Sequence, residues 1–331
     1  MKFRTEIKIK PFGDKIDYES HILSLGSCFA QGVGGRLRDM KFNIEVNPTG
    51  VLFNVASICR TLDRFEKCEG VSVDDLEEGP QGWFHYDFHS SLSGADRQTC
   101  VDNINRAVEV GHQALGESDW VVVTLGTAWI YELVSSGEVV ANCHKQPSAF
   151  FSRRRLSVGE IVDHLDSALQ GPLRGKKVIL TLSPIRHTAD GLSENSLSKA
   201  TIRVAVDEII QRYGQSRVEY FPAFEILMDD LRDYRFYGDD LVHPAPMAVE
   251  YVWQRFCEAA LSSRARETMV SVEEIIRGVN HRPRDSKSEG YRHFCLGQLR
   301  RIEQLAGVVN MEREQEYFTK GATMGGELQK K

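Results

Sequence analysis

No stretch of this sequence approaches the ~20 consecutive apolar residues that a helix needs to span a bilayer. The opening segment, MKFRTEIKIKPFGDK, is polar and charged, with no apolar run behind it to act as a secretory signal. The expected location is the cytoplasm, with no membrane partner. Paired cysteines are missing as well. Cys28, Cys59, Cys68, Cys100, Cys143, Cys257 and Cys295 are odd in number, irregularly spaced and without a C-x-x-C pair, which fits reduced thiols and not a disulfide framework. Basic excess is absent: 41 Lys and Arg against 47 Asp and Glu leave a net charge of −6, a poor footprint for general nucleic-acid binding. The short run Arg153–Arg155 reads as a solvated loop or a helix start.

Two further absences narrow the chemistry. There is no Walker motif, and Gly32-Val33-Gly34-Gly35 falls inside the first expected helix instead of opening it, so no phosphate-cradling loop is expected. His85 and His89 are four residues apart but lack the glutamate of a zinc protease, and Cys143-His144 has no second ligand pair nearby. Neither a metal nor a cofactor is expected.

What is present reads as an α/β protein. With 331 residues, 41% hydrophobic and 27% charged, the chain can bury a proper core in about two domains, or in one large domain with additions. His21–Gly26, Phe42–Val46, Trp120–Leu125, Lys177–Leu182 and Val218–Phe221 read as strands, the third being a continuous β-branched run suited to the centre of a parallel sheet. Helical spacing covers 28–40, 51–65, 98–115, 157–170 and 195–213. Such alternation predicts a parallel sheet with helices on both faces. Residues 67–97 look like an irregular insertion, and 129–141 like a hairpin turning at Ser-Ser-Gly. The expected division is a domain over 1–262 and a charged helical extension over 263–331, broken at His281–Lys287 and fraying after Met311. The extension, Tyr291–Leu305 in particular, is a candidate self-association surface.

In an open parallel sheet the ligand lies beyond the carboxyl ends of the strands. Gly26-Ser27-Cys28, Asn47-Pro48-Thr49-Gly50, Gly126-Thr127-Ala128-Trp129 and Ser183-Pro184-Ile185-Arg186-His187 each follow a strand, and Asp240-Leu241-Val242-His243 comes late in the chain. A serine at a strand-to-helix turn can attack a carbonyl if a base lies within reach. In the D-x-x-H pair, Asp240 can fold back on His243 and orient it.

These segments, LSLGSCFAQ at 23–31, NPTGVLFN at 47–54, VTLGTAWIYE at 123–132, ANCHKQP at 141–147, TLSPIRH at 181–187, ENSLSKAT at 194–201 and the stretch 220–244, resemble the GSCFA-domain family, itself grouped with the SGNH (GDSL-like) hydrolases. The resemblance covers roughly residues 1–260. It implies a three-layer α/β/α sandwich of flavodoxin-like type and Ser-His-Asp ester hydrolysis through an acyl-enzyme, or the related acyl transfer, on an ester or acetyl group of a polar small molecule or glycan. By position, Ser27 matches the nucleophile, Asp240 and His243 the final block, and Gly50 an oxyanion donor beside the Ser27 N–H. The third block departs from the wider pattern, having Gly126-Thr127-Ala128-Trp129 where SGNH enzymes place an asparagine. Thr127 or Asn142 stand as replacements.

Beside Ser27, Cys28 diverges by ~100° around a helix start, and the resemblance leaves it as a small packed residue. Asn47, Asn54, His89, Asn142, His144 and Lys145 are expected to meet substrate. Arg186 and His187 either contact an acidic group or pair with Asp190 or Glu194. A fold retained only to bind a glycan or acylated ligand is the rival expectation.

Overall fold

A computed structural model of the chain describes residues 4–281 and 283–324, the side chains of Asp190 and Met324 excepted. The chain divides into two compact units. One comprises residues 1–14, 21–36 and 44–260, and the other 15–20, 37–43 and 261–331. The second unit is therefore not a simple C-terminal extension, because two earlier segments complete it.

In the first unit, β1 (His21–Gly26) leads into α1 (Cys28–Asp39), β2 (Asn43–Val46) and α2 (Val55–Lys67), residues 37–39 of α1 and Asn43 of β2 counting with the second unit. A ribbon of β3 (Glu77–Gly79) and β4 (Gly82–Phe84) precedes α3 (Arg97–Glu117) and β5 (Trp120–Leu125). Next come β6 (Trp129–Leu133), β7 (Val139–Val140), β8 (Phe151–Arg155) and α4 (Val158–Gln170). The unit closes with β9 (Lys177–Leu182), α5 (Leu192–Tyr213), β10 (Val218–Phe221), the single turn α6 (Ala223–Glu225) and α7 (Pro246–Ala260).

Five strands form a parallel sheet in the order β2-β1-β5-β9-β10, which is the flavodoxin-like order. Every residue of the central β5 is buried, as its unbroken WVVVTL run requires when helices cover both faces. On one face Leu23, Leu25, Val121, Val123, Val178 and Leu180 share a core with α2, α4 and α5. On the other, Gly34 of α1 lies against Ser24 and Val46, and Phe256 of α7 meets Phe221 edge-on at 5.2 Å. Such a sheet leaves its carboxyl-end loops open along one rim.

Two local expectations are corrected, and a third is extended. Residues 51–54 are not the start of α2: Asn54 caps it in extended conformation, its Oδ1 accepting the Ser57 N–H at 2.8 Å. The expected hairpin is present as β6 and β7, paired antiparallel, and β8 adds a third strand on the other side of β6. That strand includes Arg153–Arg155, which is neither loop nor helix start; pairing with β6 fixes it as a strand.

The second unit contains α8 (Ser263–Asn280), α9 (Glu289–Gln304) and α10 (Glu312–Met324). Chain beyond Met311 does not fray at once, because α10 buries Phe318 completely; the expected frayed end, 325–331, lies outside the described residues. No described helix is long and apolar enough to cross a membrane.

Candidate active site

The site begins at the turn between β1 and α1. Gly26 has φ +128°, and a Cβ there would stand 2.1 Å from the Thr124 carbonyl oxygen, so only glycine allows β1 to pack this closely on β5. Asn47 holds the turn: its Oδ1 accepts the Gly26 N–H at 2.8 Å while its own N–H donates to Ser24. Ser27 follows as the residue that caps α1, its Oγ accepting the Phe29 N–H at 3.3 Å. That bond uses an oxygen lone pair and leaves the hydroxyl proton free to be taken.

Across the rim, residues 237–244 form a tight loop closed by the Tyr237–Pro244 bridge. Asp240 Oδ1 accepts the N–H groups of Val242 and His243, both at 2.9 Å, and Oδ2 lies 2.6 Å from His243 Nδ1. The backbone N–H of His243, then its ring, then the Val242 N–H pull the Asp240 pKa down to about 2. An ionised partner fixes the proton on Nδ1 and leaves Nε2 as the acceptor. The loop is tied to the end of β9 by Arg186 N–H donating to the Val242 carbonyl at 3.3 Å.

Ser27 and His243 line one cavity of about 540 Å³. No direct hydrogen bond joins their side chains among the described residues; such contacts commonly tighten only when substrate is bound. Cys28, Asn54, Thr127, Asn142, Arg186 and His187 line the same space. A hydroxyl and a carboxylate-oriented imidazole on one cavity are the parts of an activated nucleophile.

Several expected placements are corrected. The Ser27 N–H donates to the Thr124 carbonyl and the Gly50 N–H to Asn47, so both expected oxyanion donors are spent inside the protein. Gly50 lies away from the cavity. Its φ of +83° demands glycine, as does the His89 side chain, which a Cβ at this position would approach to 2.3 Å. Thr127 gives its N–H to Phe53, and its hydroxyl is held by the Trp129 N–H and Ser198 Oγ. Asn47, His89 and Lys145 are not among the cavity-lining residues either. His89 Nδ1 accepts the Ser91 N–H, and Lys145 is an exposed residue at φ +57°.

His144 is a core residue. Its ring stacks on Phe84 at 4.1 Å, and Nε2 donates to the carbonyls of His85 and Phe88. Burial pushes its pKa down to about 4, so the ring is a neutral clamp between the insertion and the 142–145 loop. Cys28 departs from expectation in the opposite sense: it is exposed to the cavity, not packed. Arg186 forms no ion pair with Glu194, and the Asp190 side chain lies outside the described residues.

Two donors that the sequence reading did not assign to an oxyanion remain on the cavity wall, one of them Asn54, which was expected to meet substrate. The Cys28 N–H, first in α1, has no backbone acceptor among the described residues. Asn54 spends Oδ1 on Ser57, which leaves its NH₂ group to the cavity. Leu52 N–H donates to Gly26 O at 2.9 Å and Asn54 bridges to Thr127, so this segment is bonded to both the Ser27 turn and the loop that carries Thr127. Asn142 likewise spends Oδ1 on the His144 N–H, but on the loop across the cavity.

Beneath the rim, Lys199 of α5 is 2% exposed and donates from Nζ to the carbonyls of Gly126 and Ser183, both at 2.7 Å. These carbonyls end β5 and β9, so one ammonium ties the two loops that carry Thr127 and Arg186. Its neighbour Ser198 accepts the Ala128 N–H at 2.8 Å. The conspicuous signal for both was a lysine at an apolar-spaced helix position in ENSLSKAT.

The GSCFA family model matches residues 21–256, which include the Ser27 turn, the helix-capping Asn54, the buried Lys199 and the Asp240–His243 loop. A second model, described as the C-terminal domain of GSCFA domain proteins, matches residues 272–323, within α8 to α10. A search of curated proteins finds no match. Matched over more than half its length, and in both compact units, the chain belongs to the GSCFA family.

Proposed function

We infer that this protein is a serine hydrolase, or the closely related acyl transferase, acting on an ester or acetyl group of a polar small molecule or glycan. The observation that carries this reading is the joint placement of Ser27 and a carboxylate-oriented His243 on one cavity. The order Ser, Asp, His and the flavodoxin-like sheet also agree with the resemblance to SGNH hydrolases.

In the first step Ser27 Oγ bonds to the acyl carbon while its proton passes to His243 Nε2. Collapse of the tetrahedral species breaks the bond to the leaving oxygen, which takes that proton. Water, or an acceptor hydroxyl, then attacks the acyl-enzyme, gives its proton to Nε2, and Ser27 leaves with it. Asp240 stays ionised and stabilises the imidazolium at each stage. The donors suited to the developing oxyanion are the Cys28 N–H and Asn54 Nδ2, in place of the Ser27, Gly50 and Thr127 groups.

One observation favours a second reading, attack by Cys28, since its thiol is the more open of the two side chains. Against it, burial raises the Cys28 pKa, and the thiolate is the reactive form. Rates with a panel of acetylated sugars and short-chain aryl esters decide between them. Ser27→Ala and His243→Ala each abolish turnover and the double variant loses no more than either, because the pair acts as a unit. Retention of rate in Ser27→Ala together with loss in Cys28→Ala overturns the serine assignment.

A further inference from the structure

We propose that the substrate is anionic, carrying a carboxylate, phosphate or sulfate group that Arg186 binds; this rests on the reading of the Ser27–His243 cavity as the active site.

The cavity wall is one-sided in charge. Arg153, Arg186, His187 and His243 line it, and among the described residues no aspartate or glutamate does. In a chain of net charge −6, two arginines on a cavity with no carboxylate among its described lining residues depart from the surface average. A concave site lined by one sign of charge focuses its field on the opposite sign.

Arg186 is the sharper observation. Its guanidinium lies over the Tyr237 ring at 3.9 Å, with Tyr234 at 5.4 Å. Stacking uses the flat face of the group and leaves its in-plane N–H fork available, the geometry that matches a carboxylate or phosphate. The protein gives that fork no anion. Arg154 of β8 is paired with both Glu132 and Glu160, whereas Arg186 has no ion pair among the described residues. Arg186 also borders a smaller cavity, lined by the same Tyr234 and Tyr237 and by Asp229 and Asp233. Asp233 pairs instead with Arg235 at 3.1 Å, and Asp229 makes no ion pair with Arg186. Arg153 presents a second cation to the cavity, stacked on Trp129 at 4.1 Å.

Position supports the assignment. The Arg186 N–H bonds to Val242, the residue before His243, so a ligand charge held there lies on the base's side of the cavity. A rigid cation fixed by an aromatic stack loses little freedom on binding, and an anion in that place would orient the ester over Ser27.

The test needs no turnover. Calorimetric titration of the full chain with 4-acetamidobenzoate and with its neutral isostere 4-acetamidobenzamide compares carboxylate with carboxamide on one frame. The expected result is at least tenfold tighter binding of the carboxylate at low salt, a preference that shrinks as salt is raised and disappears in Arg186→Gln. Arg153→Gln is expected to weaken the preference by a smaller factor. Folding of each variant is checked by its melting transition. Equal affinities, failure of the carboxylate to bind at millimolar concentration, or a preference that survives Arg186→Gln in a folded protein overturns the proposal. Because binding is read directly, failure here leaves the hydrolase reading to be decided separately, by the rates of the Ser27 variants.

Discussion

The Oδ1 of Asn54 accepts the Ser57 N–H at 2.8 Å, and this one bond decides which end of the Asn54 amide faces the cavity. A residue whose local duty is to start a helix thereby presents two N–H donors beside the nucleophile turn. Asn54→Asp keeps the cap, since aspartate serves equally well at that position, but removes the donor. The expected outcome is a loss of about 10²–10³ in kcat with an unchanged melting temperature. Asn54→Ala additionally costs about 1 kcal/mol of stability through the lost cap. Full activity in Asn54→Asp assigns the oxyanion to other donors.

Asp240 accepts two backbone N–H groups as well as the His243 ring. Asp240→Asn preserves the shape of the loop yet allows His243 to adopt the wrong tautomer. We expect a fall in kcat of order 10⁴ with substrate binding nearly unchanged. With the Asp240 pKa pulled down to about 2, the carboxylate stays ionised throughout the usual assay range. A rate that tracks carboxylate titration near pH 4 in the wild type contradicts this division of roles.

Burial without a carboxylate partner pulls the Lys199 pKa down to about 7. In the unfolded chain the same amine titrates near 10.4. Between these values the unfolded state holds a proton that the folded state has released, so stability from this group rises with pH from 7 to the unfolded value. Below pH 7 both states are protonated and the cost of the buried charge is borne in full. Lys199→Met is expected to flatten that rise in chemical-denaturation stability measured against pH. An identical slope in wild type and variant contradicts the account.

His144 behaves in the same sense on the acid side. Its folded pKa of about 4 lies below the usual histidine value, so protonation favours the unfolded chain as pH falls from 6.5 to 4. His144→Leu is expected to lose that acid sensitivity. It also leaves the carbonyls of His85 and Phe88 without their donor, a cost of about 1–3 kcal/mol near neutral pH. A variant as acid-sensitive as the wild type assigns the effect to another group.

Much of this was legible in the sequence, for physical reasons. The parallel sheet announced itself because β5 and β9 are buried on both faces and must be continuously apolar. The Ser27 turn and the Asp240–His243 loop were legible because their geometry is local, set by residues within a few positions. Which N–H groups are open to the cavity was not, because an N–H is available only if no carbonyl has already taken it. Thr124, 97 positions from Ser27 in the numbering, takes the Ser27 N–H, and nothing local to Gly26-Ser27 reveals that. His144 misled for a similar reason: its polar neighbours Asn142 and Lys145 suggest a pocket, but Phe84, from a distant ribbon, covers its ring. Arg153–Arg155 became a strand through pairing with β6 and not through its own propensity.

The central claim is that Ser27 is the attacking group. Its most direct measurement is exposure of the full chain to a fluorophosphonate probe, followed by fragmentation mass spectrometry able to part Ser27 from Cys28. The account predicts a single phosphonyl adduct on Ser27 that vanishes in His243→Ala. An adduct on Cys28, or an unlabelled Ser27 in folded protein, contradicts it.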